Sequence, residues 1–417
     1  MAAALAAAAC SVAGAQLVPP VPNVGGVIGG AGRTAGDALS NPTGSVDALR
    51  GNINMGALAE ARVARLESLV RANRDRLEMT GLGPAVRGQV IAIDPDPAAL
   101  SAAEQAGFVR QGDERIEGLD IRSVTLGVPR GWSVDRALAR LRRIAPSGTF
   151  TANHLHGRSG EAATAAAIGA AALAQGRPEG ANAIGIIDGG VAANPSLTGP
   201  VQQRGFAAGA PSPSAHGTAI ASLVAGQGPV RGAAPGTALL VADVYGRDPA
   251  GGNALALVRA LGWMVAQRVR VVAISLVGPA NPLVARAVGQ ARARGTWIVA
   301  AVGNDGRAAP PAYPASYPGV IAVTGVDGRG RVLIEAGRAL HLDYAAPGAD
   351  LMAAGANGNL VAVRGTSFAV PLVAGRLAQH VRGPDPIAAL DGEAVSRGRR
   401  ELGRGILCGT CRTVRRR

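Results

Sequence analysis

The sequence contains no lysine, so all 42 of its basic residues are arginine. Beside the excess of alanine and glycine, that absence reads as a GC-rich coding bias more than as a chemical requirement. Aromatic residues make up 3% of the chain, which excludes an aromatic core and leaves Ala, Val, Leu and Ile to fill the interior. The same scarcity leaves few rings for base stacking. The net charge of +14 does not restore a nucleic-acid reading, because the arginines are scattered and the one dense run is RTVRRR at 412–417. No nucleic-acid partner is expected. After the opening residues no run is long and apolar enough to span a bilayer. Of the three cysteines, Cys408 and Cys411 stand in CGTC without a histidine cluster nearby, which makes a poor zinc site. Nothing resembles an acidic calcium loop either, so neither a metal nor a cofactor is expected.

What is present divides into stretches of distinct texture. A chain of 417 residues with 48% apolar content has core enough for two or three domains. Residues 1–15 resemble the apolar part of a secretory signal ending at Ala13-Gly14-Ala15, which points to a secreted or periplasmic protein whose CGTC cysteines can pair. Residues 16–86 hold a Pro/Gly-rich lead and then, from Leu58 to Leu77, apolar residues at helical spacing between charges. Residues 87–154 run strand, helix, strand, strand, helix, strand, the order of a ferredoxin-like split-βαβ sandwich, with Ser133 as a helix N-cap. Residues 155–180 read as an Ala-rich linker. From 181 to 395, near-continuous apolar strands such as IGIID, VRVVAISLVG and TWIVAAVG alternate with helical stretches. That alternation predicts an α/β fold, a parallel sheet covered by helices on both faces. Residues 396–417 are a basic tail carrying the CGTC pair.

In such sheets, active residues collect at the carboxyl ends of the strands. Asp188 ends IGIID, His216 opens the helix HGTAIASLVAG, Asn304 follows a strand in VAAVGNDG, and Ser367 sits in VRGTSFAVP. Each has an ordinary account by itself. A serine before a helix is a good N-cap, and Asp or Asn beside glycine suits a turn. The four in this order across one sheet are harder to treat as coincidence.

With IIDGG, SAHGTAIAS, VGNDG and GTSFAVP on one chain, the sequence resembles the subtilisin-like (S8) serine peptidase family over about 181–381. The resemblance implies a triad of Ser367 as nucleophile, His216 as general base and Asp188 as its orienting partner. It implies an oxyanion site from Asn304 and the Ser367 N–H. Peptide substrates would pair as extended strands with the segment at Ser275, Leu276 and Gly278, and with the one at Tyr245 and Gly246. Val277, between Leu276 and Gly278, departs from the family pattern. The Tyr313–Pro314 bond is expected to be cis. The sandwich at 87–154 matches the position of a family propeptide that assists folding and then fills the cleft. The expectation is a secreted, monomeric serine endopeptidase whose partners are protein or peptide substrates and its own N-terminal prodomain. The alternative is a silent or permanently inhibited homologue that acts as a protein-binding module.

Overall fold

The computed structural model describes residues 55–159, 161–162 and 179–413. The expected signal segment, the Pro/Gly-rich lead and most of the Ala-rich linker lie outside the described residues. Helix α1 (Met55–Ala72) comes first. The apolar spacing that predicts a helix to Leu77 outruns it: the Asn73 side chain donates to the Leu69 carbonyl, and the chain turns. Leu77 instead opens strand β1 (Leu77–Thr80) and is fully buried with Val86 and Ala250.

The sandwich follows as β2 (Gly83–Ile93), α2 (Pro97–Gln105), β3 (Val109–Arg115), β4 (Arg122–Gly127), α3 (Val134–Ile144) and β5 (Thr149–His154). Its strands are antiparallel in the order β5-β2-β4-β3, and β1 pairs with the first half of β2. Asp96 and Ser133 cap the two helices by accepting from the Ala99 and Arg136 N–H groups. The run VIAI in β2 is apolar at every position because both faces of the sheet are covered. Val90 and Ala92 pack with α2 and α3, whereas Ile91 and Ile93 join a core shared with the larger domain.

Two short strands follow, β6 (Gly157–Arg158) and β7 (Glu161–Ala162). The larger domain is built from β8 (Ile184–Asp188), β9 (Val201–Gly205), α4 (Ala215–Ala225), β10 (Leu239–Asp243), α5 (Ala254–Ala266), β11 (Val271–Ile274), β12 (Leu276–Val277), α6 (Pro282–Ala293), β13 (Trp297–Ala301), β14 (Ile321–Val326) and β15 (Tyr344–Pro347). A hairpin of β16 (Leu351–Ala354) and β17 (Leu360–Arg364) leads to α7 (Val370–His380) and α8 (Pro386–Glu393). Seven strands form one parallel sheet in the order β9-β10-β8-β11-β13-β14-β15. Ile184 and Ile186 pack with α4 and α7 on one face. Ile187, Val272 and Ile298 pack with α5 and α6 on the other. Cys408 and Cys411 are disulfide-bonded.

Helices α5 and α6 therefore lie between two sheets. Ile91, Ile93, Ile116, Leu119 and Ile121 of the sandwich are buried against them, each worth about 1.5–3 kcal/mol of gross apolar burial. The approach is close enough that a Cβ on Gly262 would come within 2.3 Å of the Glu117 carbonyl. Asn153 accepts from the Leu255 N–H at the start of α5. Asn281, the N-cap of α6, donates to Thr151 and to the Ala152 carbonyl. The ion pairs Arg259–Glu114 and Arg286–Asp94 close the rim. This docking fixes where the chain leaving β5 must go, which is across the carboxyl end of the parallel sheet.

Candidate active site

Two aspartates end adjacent strands in register, Asp188 on β8 and Asp243 on β10. Their surroundings separate them. The Asp243 carboxylate accepts from three backbone N–H groups, those of Ser212, Tyr245 and Gly246, and so ties down a turn. Asp188 is fully buried and takes one backbone bond, from Gly189. His216 Nδ1 lies 2.9 Å from both carboxylate oxygens, and Arg158 Nε lies 3.9 Å from one of them.

His216 is the second residue of α4, whose N-cap Ser214 accepts from the Gly217 N–H. The helix start presses on the end of β8: a Cβ on Gly217 would lie 2.3 Å from the Gly189 carbonyl. That contact accounts for the glycine after the histidine. The other ring nitrogen, Nε2, is 3.1 Å from Ser367 Oγ. The ring leans on Phe368, centroid to centroid 5.2 Å.

Ser367 does not cap α7. It sits in a 3-10 turn over Thr366–Phe368, and the N-cap position falls to Ala369 with no side-chain bond. Its Oγ is spent on His216, while its carbonyl accepts from Ser275 Oγ at 3.0 Å. Thr366 N–H donates to Asn304 Oδ1 at 2.9 Å, which fixes the orientation of that amide. Asn304 Nδ2 is left buried and without a partner among the described residues. A buried donor held without an acceptor costs roughly 1–3 kcal/mol, so it marks a place where an acceptor is expected to arrive.

The acceptor side is already occupied by the chain itself. The Ser159 carbonyl accepts from the Ser367 N–H at 3.1 Å, and the Ser159 N–H donates to the Ser275 carbonyl at 3.2 Å. β6 pairs antiparallel with β12, Arg158 opposite Leu276 and Gly157 opposite Val277. β7 pairs with β17, so the extended segment is held on both sides of Ser159. The opposite rail differs from the expected Tyr245–Gly246 segment. Gly252 accepts from the His156 N–H, and Leu155 bridges Asn253. Gly246 faces Ala208 and Ala210 instead. Tyr245 takes part through its side chain, donating its hydroxyl to the His156 carbonyl at 2.8 Å. Gly278 leaves room for the His156 ring, whose carbons would sit 2.5 Å from a Cβ there. The Tyr313–Pro314 peptide is cis, and Tyr313 exchanges backbone bonds with Gly278.

Comparison with known proteins points to one family. A family profile described as the subtilase family, peptidase S8, matches residues 181–386. Subtilisin DY of Bacillus licheniformis is 33% identical over 211 residues, 48% of this chain and 77% of that protein. The chain belongs to the subtilase family. The major intracellular serine protease of Bacillus subtilis (strain 168) is 34% identical over 172 residues, 39% of this chain, and the match spans about half (54%) of that relative. Among solved structures, a serine-to-alanine mutant of the protease domain of PatA is 27% identical with a TM-score of 0.50, covering 57% of this subtilase and 95% of that chain. Fervidolysin from Fervidobacterium pennivorans shares the fold, with a TM-score of 0.63 at 18% identity, over 81% of this chain and 62% of that one. The subtilase fold follows. Among the described residues no group of three or more His, Cys, Asp or Glu could hold a metal, and no helix is long and apolar enough to cross a membrane.

Proposed function

We propose that this subtilase is a secreted serine endopeptidase made as a self-inhibited precursor, and that its first substrate is its own Ser159–Gly160 bond. One observation carries the reading: the Ser159 carbonyl is held by the Ser367 N–H while Ser367 Oγ is bonded to His216. Ser367 Oγ attacks that carbonyl carbon and His216 Nε2 takes the proton. Asp188 keeps the Nδ1–H tautomer and stabilises the imidazolium. The developing oxyanion keeps the Ser367 N–H and gains Asn304 Nδ2, the donor that has no partner before reaction. His216 then protonates the departing amine of Gly160, leaving Ser159 esterified to Ser367, and water releases it by the reverse proton path. The sandwich stays docked on α5 and α6 with its new carboxyl end in the cleft, an inhibitor until it leaves. Export is supported by the signal-like opening residues and by the paired cysteines.

Labelling with a serine-directed phosphonate, wild type against Ser367→Ala, tests the reading. Label on the processed wild-type chain and none on the variant is expected. A wild-type chain that is never cut, never labelled and still binds proteins would favour the inhibited binding module instead.

A further inference from the structure

The residue before the scissile position is Arg158, and its side chain is built into the site. We propose that the mature enzyme selects peptides with arginine at the second position before the cut, P2, and that Tyr245 carries the selection. This rests on the reading of Ser367 as nucleophile and of Ser159 as the residue donating the scissile carbonyl.

Three observations converge on the guanidinium. Its Cζ lies over the Tyr245 ring, 4.2 Å from the centroid. Its Nε is 3.9 Å from Oδ1 of the fully buried Asp188 carboxylate. It also approaches Gly189, where a Cβ would fall 2.8 Å from an Arg158 terminal nitrogen and 2.5 Å from Ser214 Oγ. The side chain remains 36% exposed. The ring is not free to swing away, because its hydroxyl is bonded to the His156 carbonyl two residues upstream. A bound peptide in this register thus sets the platform on which its own P2 side chain rests.

The chemistry favours arginine over other residues for separable reasons. A flat, weakly hydrated cation can stack on a ring face and still present N–H groups to a carboxylate. Lysine brings the charge but not the plane. An apolar residue can cover the ring but leaves the negative charge of Asp188 unanswered at this distance. The register that puts Arg158 opposite Leu276 sends the flanking Gly157 and Ser159 to the other face, so the selection is confined to one position.

The test uses the full chain after it has processed itself, with three fluorogenic tetrapeptides of sequence His-Gly-Xaa-Ser, Xaa being Arg, Lys or Ala. Roughly a tenfold higher kcat/KM for Arg than for Ala is expected, with Lys between them. In Tyr245→Leu the Arg-to-Ala ratio falls to about two or three, and in Tyr245→Phe, which keeps the ring, it stays near the wild-type value. Equal kcat/KM for the Arg and Ala peptides, in an enzyme whose Ser367 accepts a phosphonate label, overturns the proposal and leaves the peptidase reading standing. An Arg preference that survives intact in Tyr245→Leu overturns the assignment to the ring. A chain that takes no label and cuts none of the three peptides removes both readings.

Discussion

Acid should loosen the inhibitory segment, and His156 sets the size of the effect. Its ring is fully buried against Gly278, and neither nitrogen has a partner among the described residues. Burial, reinforced by nearby His154, lowers its pKa to about 4. Once the segment leaves the cleft the ring returns to water and to about 6.5. The docked state therefore holds its full advantage above pH 6.5 and loses it as pH falls through 4. At about pH 5 the released ring is almost wholly charged and the docked one almost wholly neutral, a difference of about 2 kcal/mol or thirtyfold in affinity. His154, also lowered to about 4 by burial, works in the same direction. The assay is the fraction of processed protein that keeps its N-terminal fragment on size-exclusion chromatography, as a function of pH. In His156→Leu, which cannot charge, the loss of affinity between about pH 7.5 and 5 should be smaller by about thirtyfold. The same pH dependence in wild type and variant would refute the reasoning.

Three other outcomes follow from the geometry. Asn304→Ala should lower kcat by about a hundred- to a thousandfold, the scale known for removing this donor in subtilisin, with little change in KM; a raised KM at constant kcat would make Asn304 a turn residue only. Val277 shares a strand face with Ser159, and its methyls lie 3.6 and 3.9 Å from where a Gly303 Cβ would be. Val277→Gly should therefore raise kcat/KM for Phe over Ala at the residue before the cut, roughly tenfold for the methylenes admitted; an unchanged ratio would place the wall elsewhere. Gly262→Val should drive a side chain into the Glu117 carbonyl and weaken retention of the N-terminal fragment after processing, by roughly 1–3 kcal/mol; undiminished retention would show that the sandwich is not held through α5.

How much of this was legible in sequence depended on how local each signal is. Strands buried on both faces, such as Ile184–Asp188, announce themselves as unbroken apolar runs. The edge strand Val201–Gly205, with two glutamines and an arginine, is half open to solvent and carries no such pattern. The motifs of Asp188, His216, Asn304 and Ser367 were readable because their glycines answer to close contacts, as Gly217 does against Gly189, or to left-handed backbone, as Gly303 and Gly365 do at φ 88 and 140. The rail at Gly252–Asn253 was not readable, because it is made by backbone atoms of a loop placed by tertiary packing. Of the expected Tyr245–Gly246 segment, Tyr245 meets the chain through its side chain, while its backbone N–H and that of Gly246 are held by Asp243. Arg158 gave no signal at all until the register with Leu276 brought it over the tyrosine ring.

The central claim is that the chain presents Ser159 to Ser367 as a substrate presents its scissile carbonyl. The most direct measurement is the N-terminal sequence and mass of the fragments of purified full-length protein, beside those of Ser367→Ala. The account predicts a large fragment beginning at Gly160, a small one ending at Ser159, and an intact variant chain. A first cut elsewhere in 163–180, or a Ser367→Ala chain divided at the same bond, would contradict it.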